Sequence, residues 1–420
     1  MNKEQRRKKR YQAEKRFQAY GIVAISLALF FVGLLVFKVF SDGTSAFSRT
    51  MIKVPITFDA DKLGITNIND KDEVENADYF TLVYEQFIKS YPYSNDKEEK
   101  QIIKLLSPDY EFEAKNYFLK NKDKLGKTVS LLLTASDDFD QLHKGNFPRN
   151  IPEERRRLSN YQLGIYDQFL KEGKIEKIFN NYLFSKGDSR DPELAGFGGA
   201  ILGSFFSILV CLLISFPIAL AAAVYLEEFA PKNKLTDLIE ININNLAAVP
   251  SIVFGLLGLG VLLNVFELPR STALVGGITL ALMTLPRIII PARASLKAVP
   301  PSIREGALAV GASRVQTVFH HVVPLAMPGT LSGTIIGLAQ ALGETAPLLL
   351  IGMVAFVVEI PGSPLDPSAS LPVQVYLWSE SAERGFVEKT SATIMMLLGF
   401  LIVMNSLAVY ARQKFERKWN

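Results

Sequence analysis

The chain has 420 residues, 46 Lys and Arg against 42 Asp and Glu, a net charge of +4, three His and one Cys. A lone cysteine excludes a disulfide framework, and Cys211 falls inside an apolar run. Although 49% of the residues are hydrophobic, this average conceals an uneven chain, because one long polar segment dilutes several runs of membrane character.

Apolar runs long enough to cross about 30 Å of hydrocarbon, which takes about 20 helical residues, are predicted at 20–38, 197–224, 241–265, 271–291, 327–357 and 391–410. Residues 1–40 form a basic leader and the first of these spans. A secretory signal also joins a basic leader to an apolar run. Here the run from Tyr20 to Val36 is long for a signal, and no small-x-small cleavage site follows Phe40, so an uncleaved anchor is expected.

Residues 41–195 are rich in Asp, Lys, Asn and Tyr, yet FTLVYEQFIKSY (80–91) and TVSLLLTAS (128–136) carry enough apolar side chains for a core. A folded soluble domain of mixed α+β type is expected. Gly126-Lys127-Thr128 is similar to the end of a phosphate-binding loop, but the first glycine of that motif falls on Asn121. No other segment carries the motif, so any ATP work is assigned to another subunit.

In the third run Pro250-Ser251 interrupts helical hydrogen bonding, and Gly255, Gly258 and Gly260 follow, which predicts tight packing or a hinge, with packing favoured. In the fourth, Arg287 lies between Pro286 and Pro291, where a broken helix is expected to expose backbone groups. Pro300-Pro301 ends that span. Ser302 with Glu305 reads as a capping box, Gly311 as a helix stop, Ser313 with Gln316 as a second capping box, and Pro324 as the close of the second helix. A compact helix-turn-helix over 302–324 follows. His320 and His321 beside it lack Cys or carboxylate at ligand spacing, so no metal is expected there.

The fifth run places Gly329, Gly333 and Gly337 every four residues, with Ala341 continuing the stripe, which makes one face smooth enough for close helix approach. Gln340 and Glu344 fall near that face and are expected to point into protein. A membrane carboxylate costs about 2.5–3.5 kcal/mol on insertion scales. Glu344 therefore lines a pathway or pairs at a gate on one reading, and holds an Arg between two helices on the other.

Orientation follows from the distribution of Lys and Arg. The leader, the loop with Lys232 and Lys234, the gap with Arg293, Lys297, Arg304 and Arg314, and the tail with Arg412, Lys414, Arg417 and Lys418 are placed inside. The loop with Glu359, Asp366, Glu380 and Glu383 is placed outside, and both termini are cytoplasmic.

The spacing of Glu305, Gly306-Ala307, Gly311 and Val323-Pro324 resembles the cytoplasmic signature of the permease subunits of bacterial ABC importers. Gly306 stands where Ala is usual, His321 at an apolar position and Val323 where Leu is usual. AAVPSIVFGLLGLG (247–260) and GLAQALGETAPLLLIG (337–352) are similar to phosphate-import permeases of the PstA type, a likeness that covers roughly 190–420. Longer members of that family carry an extra N-terminal region, which 41–195 resembles.

The resemblance implies an all-α, six-span, MetI-like type I importer bundle over 196–420 in the bacterial inner membrane. It implies no catalytic site, metal or cofactor in this chain, ATP being used by partner ATPases. The partners implied are a second, PstC-type permease, two copies of a PstB-type ATPase, an extracytoplasmic phosphate-binding protein and membrane lipid, with no nucleic acid. A single bundle is expected to leave its glycine face and buried charges for the second permease to cover.

ATPase coupling is assigned by the same resemblance to Arg304, Glu305, Gly306, Ala307, Gly311 and Pro324. The substrate pathway is assigned to Arg287, Gln340, Glu344 and Thr345, because forked guanidinium and neutral donors suit phosphate oxygens. A snorkelling side chain is the plain alternative for Arg287 and the favoured one for Arg293. Short-form relatives tend to carry Arg where Gln340 stands. An importer of another oxyanion or nutrient, and a membrane-anchored sensor with an outer ligand domain, remain open as alternatives.

Overall fold

The computed structural model describes residues 3–415, so Arg417 and Lys418 of the basic tail lie outside the described residues. Helix α1 (Lys3–Gly43) stands apart from the bundle, with residues 9–38 exposed along its length. Only its C-terminal end is fixed, where a Cβ on Gly43 would meet Met395 Sδ and the backbone of Ala392.

Beyond α1 the chain enters an α+β domain built on a three-stranded antiparallel sheet. β1 (Ser48–Thr57) is central, between β2 (Thr128–Thr134) and β3 (Ile175–Phe179). Strand alternation puts Ile52, Val54 and Ile56 on the buried face. Pro55, which has no N–H to donate, falls beyond Ile52, where the pairing with β3 ends. Helices α2 (Tyr79–Lys89), α3 (Tyr110–Lys120), α4 (Asp137–His143) and α5 (Asn160–Lys171) bury Phe87, Phe118, Phe139 and Phe169 beside Phe58 of the sheet. The apolar stretches 80–91 and 128–136 thus form α2 and β2. Gly126, at φ +73°, turns the chain into a strand, whereas a phosphate-binding loop leads into a helix.

The membrane unit begins with α6 (Gly198–Val224), whose last turn widens into a π-turn at Tyr225–Phe229. The third span is not a straight helix. Helix α7 (Lys234–Ala247) meets α8 (Ser251–Leu257), prolonged by a π-turn at Gly258–Leu263, at an angle of 104°. Pro250 is the joint, its ψ of 138° leaving the helical region. Then come α9 (Ala273–Ala298), α10 (Pro301–Ala309), α11 (Arg314–Thr317), α12 (Val323–Gly343), α13 (Ala346–Leu350), α14 (Leu371–Ser379) and α15 (Gly385–Phe415). Among the described residues five helices have the length and apolarity to cross a membrane, six if the bent pair is one span.

Buried charge locks the α+β domain to the start of α15. Lys144 Nζ, 3% exposed, lies 2.6 Å from Asp140 and 2.7 Å from Glu388, and Ser45 Oγ donates to Glu388 at 2.6 Å. Burial opposes the charge on Lys144, but the two carboxylates prevail and raise its pKa above the ordinary lysine value. Arg157 pairs with Glu383, and Gly385 N donates to Asp137 at 3.2 Å. The linker before α6 is stitched to the outer loop by Asp188, whose N–H donates to Val357 O and whose carboxylate accepts from Trp378 Nε1, both at 2.8 Å.

Two carboxyls at this junction lie in the opposite regime. Burial pushes Asp137 up to about 7 and Glu193 up to about 8. Their folded pKa values exceed the unfolded ones, so the stability they contribute is complete below about pH 4 and is lost as pH rises through 7 and 8. The thermal midpoint of the purified protein should fall across pH 5 to 8, each group removing up to about 1.4 kcal/mol per pH unit. Asp137→Asn together with Glu193→Gln should flatten that slope, as read by differential scanning fluorimetry.

Candidate functional site

Helices α9 and α12 run antiparallel and form the seam on which the site is built. A Cβ on Gly329 would clash with Ser295, one on Gly333 with the ring of Pro291, and one on Gly337 would stand 3.0 Å from Thr284 Cγ2. The glycine stripe is therefore covered within this chain and is not left for a second permease. Helix α9 is also continuous: Pro286 and Pro291 both lie inside it, so the broken helix expected around Arg287 does not form. The ring of Pro291 instead becomes a ridge that Gly333 receives.

At one end of the seam both helices lead into the helix-turn-helix expected over 302–324. From α9 the chain passes through Val299 and Pro300, extended at ψ 127° and 140°, into α10. The Ser302–Glu305 capping box does not form, because Pro300 is the N-cap and Pro301 the first helical residue, a position where proline's missing N–H costs nothing. Gly311, at φ +92°, makes the turn, and the Ser313–Gln316 capping box is present, with Gln316 N to Ser313 Oγ at 3.3 Å and Ser313 N to Gln316 Oε1 at 2.9 Å. Pro324 does not close the second helix. A π-turn at Val318–Val322 absorbs it in the first turn of α12, and Arg314–Gly343 runs as one helical rod of 30 residues.

The residues expected to couple divide by the direction they face. Glu305 and Gly306 are exposed together with Leu308, Val310, Val315 and Phe319, while Ala307 is buried as the foot of α10. Gly306 has open space above it, so no contact within this chain requires glycine there, although glycine inside a helix costs about 0.5–1 kcal/mol relative to alanine. Arg304 turns inward. Its Nη2 lies 2.6 Å from Glu228 Oε1 and 2.9 Å from Leu296 O, its Nε 3.2 Å from Glu228 Oε1, and its Nη1 2.7 Å from Val299 O.

Glu227 and Glu228 were not singled out from sequence, nor was Glu240. They collect the basic residues of the gap: Arg293 lies 3.4 Å from Glu227 and 2.6 Å from Glu240, Arg304 grips Glu228, and Arg314 donates to the carbonyl of Glu228. The signal was available as two adjacent acids on an otherwise basic face. Arg293 is thereby an ion-paired side chain. His320 and His321 are exposed on the π-turn, and no group of three metal-ligating side chains occurs among the described residues.

The residues expected to line a pathway lie on α9, on α12 and at the break after α12. Arg287 Cβ lies 3.8 Å from where a Cβ on Gly337 would stand, and Arg287 Nη1 is buried without a partner among the described residues. Gln340 is exposed, one turn above Ile336 on the same open face, and does not point into protein in this chain. Helix α12 ends at Gly343, so the helical face extrapolated to Glu344 does not apply. Glu344, extended at ψ 126°, and Thr345 are half-buried at the break before α13, and Glu344 has no ion-pair partner among the described residues. Pro347 of α13 packs on Gly255, and Gly258 abuts Thr279, whereas Gly260 has open space.

The family model described as "Binding-protein-dependent transport system inner membrane component" matches residues 215–417, and one described as "Domain of unknown function (DUF3333)" matches residues 4–153. The chain is 31% identical over 227 residues to a probable ABC transporter permease protein, YqgH, of Bacillus subtilis, covering 51% of this chain and 71% of that protein. It is 30% identical over 209 residues to a probable phosphate transport system permease protein PstA of Methanocaldococcus jannaschii, covering 50% and 73%. It is 31% identical over 238 residues to the phosphate transport system permease protein PstC of Haemophilus influenzae, covering 50% and 74%.

The seam makes a steric prediction. Gly333→Ala should lower the thermal midpoint in detergent, because forcing atoms into a packed contact costs about 1–3 kcal/mol. Gly260→Ala, which meets open space, should leave it unchanged or raise it.

Proposed function

We infer the work of this chain from the family to which it belongs, the inner membrane components of binding-protein-dependent transport systems. It is a multi-pass permease subunit of an ATP-driven importer, and its cargo is inorganic phosphate, the substrate that the names of the PstA and PstC relatives carry. The observation that carries this reading is the unbroken rod from Arg314 to Gly343, which joins an exposed cytoplasmic surface to the seam beside Arg287.

Two ATPase subunits of the PstB type dock on the surface formed by Glu305, Gly306 and the exposed apolar side chains around them. The open space above Gly306 receives an ATPase side chain, which accounts for a glycine that the chain itself does not need. Closure of the ATPases moves α10 and α11 together, and the rod carries that displacement to the break at Glu344, where access switches from outside to inside. The termini are cytoplasmic in this reading, and an extracytoplasmic binding protein delivers phosphate.

Arg287, Gln340, Glu344 and Thr345 line the pathway, whose other wall is a second, PstC-type permease laid against the Ile336–Gln340 face. Arg287 supplies the cationic donor, since its buried Nη1 retains an unused hydrogen-bonding capacity. ATP serves as cofactor of the partner subunits and is not bound by this chain.

Radiolabelled phosphate uptake in cells lacking the chain, restored by the wild type, tests the proposal. Glu305→Lys should abolish most uptake, by tenfold or more, with the protein still in the membrane. Arg287→Gln should lower uptake at least tenfold while leaving ATPase association intact. Normal uptake by the Glu305 variant would overturn the coupling assignment, and competition by sulfate or molybdate equal to that by phosphate would overturn the cargo.

A further inference from the structure

We propose that Glu228, at the end of α6, is the positioning residue of the coupling stroke: its clasp on Arg304 holds α10 rigid against the α6–α9 body. This rests on the coupling reading above and extends it to a residue outside the 302–324 segment.

Helix α10 hangs from α9 by two extended residues, Val299 and Pro300, with Gly311 at its far end. Such a joint lets a nine-residue helix swing. Helix α11 has no such freedom, because it is the base of the α12 rod. An ATPase gripping both helices would therefore move α12 while α10 yielded, unless α10 were tied elsewhere.

The tie is Arg304. Its guanidinium bridges the Glu228 carboxylate on the π-turn of α6 and the carbonyls of Leu296 and Val299 at the end of α9. The side chains are 24% and 10% exposed, so water competes weakly for the pair. A charge-assisted, two-donor contact is stronger than a neutral one and fixes orientation as well as distance, whereas apolar surfaces in contact can slide past one another. Helix α6 is the right anchor, because it packs along α9, with Gly277 against Val210 and Gly276 against Ser207. The donation from Arg314 to the Glu228 carbonyl brings the base of α11 to the same turn. One acidic residue thus joins both coupling helices to two spans.

The test uses the full complex in liposomes, with the chain's own partner subunits. Glu228→Gln should retain its ATPase subunits and hydrolyse ATP, yet import at least tenfold less phosphate per ATP, while Glu228→Asp should recover a substantial part. A Glu228→Cys, Arg304→Cys pair should be equally uncoupled until bridged by a reducible bis-thiosulfonate linker, and uncoupled again by reductant. Cys211 is buried and does not compete for the linker. A measurement independent of cargo is the spin-label distance between positions 310 and 213, which should be narrow in the wild-type background and broad in Glu228→Gln. Wild-type stoichiometry in Glu228→Gln, no recovery on bridging, an unchanged distance distribution, or loss of the ATPases from the variant would each overturn the proposal. Failure of the wild-type complex to import phosphate would instead count against the cargo, and the spin-label distance would still decide the clasp.

Discussion

The close approach of α9 and α12 is the contact on which the membrane unit depends. In lipid there is no hydrophobic gain from pressing two apolar helices together, so their association rests on fit and on the few polar bonds across it. The fit comes from three glycines on one helix meeting Ser295, Pro291 and Thr284 on the other, at steps of about one turn. Because the helices are antiparallel and joined by the coupling element, the seam sets the distance between the roots of α10 and α11. It also places Arg287, which leaves the seam beside Gly337. A change at the glycines is therefore felt at both ends of the molecule.

The junction between the α+β domain and α15 is organised by charge, not by fit. Lys144 sits between Asp140 of the α+β domain and Glu388 of α15, and one unpaired member of such a buried set would cost about 3–5 kcal/mol. Removing Lys144 leaves both carboxylates stranded, and this shared cation ties the domain to the bundle. The family match that covers residues 4–153 spans α1 and most of this domain together, and the structure ties both to α15 through Gly43, Ser45 and Lys144.

Much of this was legible in the sequence because it depends on local rules. Length and apolarity located the helices, Gly311 and the Ser313–Gln316 box marked the turn, and the glycine spacing marked a smooth face. What failed depended on a neighbour or on continuity. Pro286, Pro291 and Pro324 read as helix breaks, but prolines survive within helices where packing holds the helix together and a π-turn relieves the register. Ser302 has the right type for a cap but stands inside a helix already begun by Pro301. The glycine face was legible, but its occupant was not, since nothing local says that Pro291 lies opposite Gly333. Glu228 was passed over because an acid outside a motif looks like solvated surface until Arg304 is seen against it.

Three polar side chains of the membrane unit contrast with the ion pairs around them. Arg287 has a buried Nη1 with no partner, Glu344 has no counter-charge among the described residues, and Gln340 stands exposed on α12 beside Ile336. In a finished membrane protein each would be costly, because lipid offers neither hydrogen bonds nor counter-ions. Elsewhere in this chain such costs are met internally: Arg293, Arg304 and Lys144 each find carboxylates. Arg287 finds no carboxylate and Glu344 no cation among the described residues, and Arg287 stands beside the seam at Gly337.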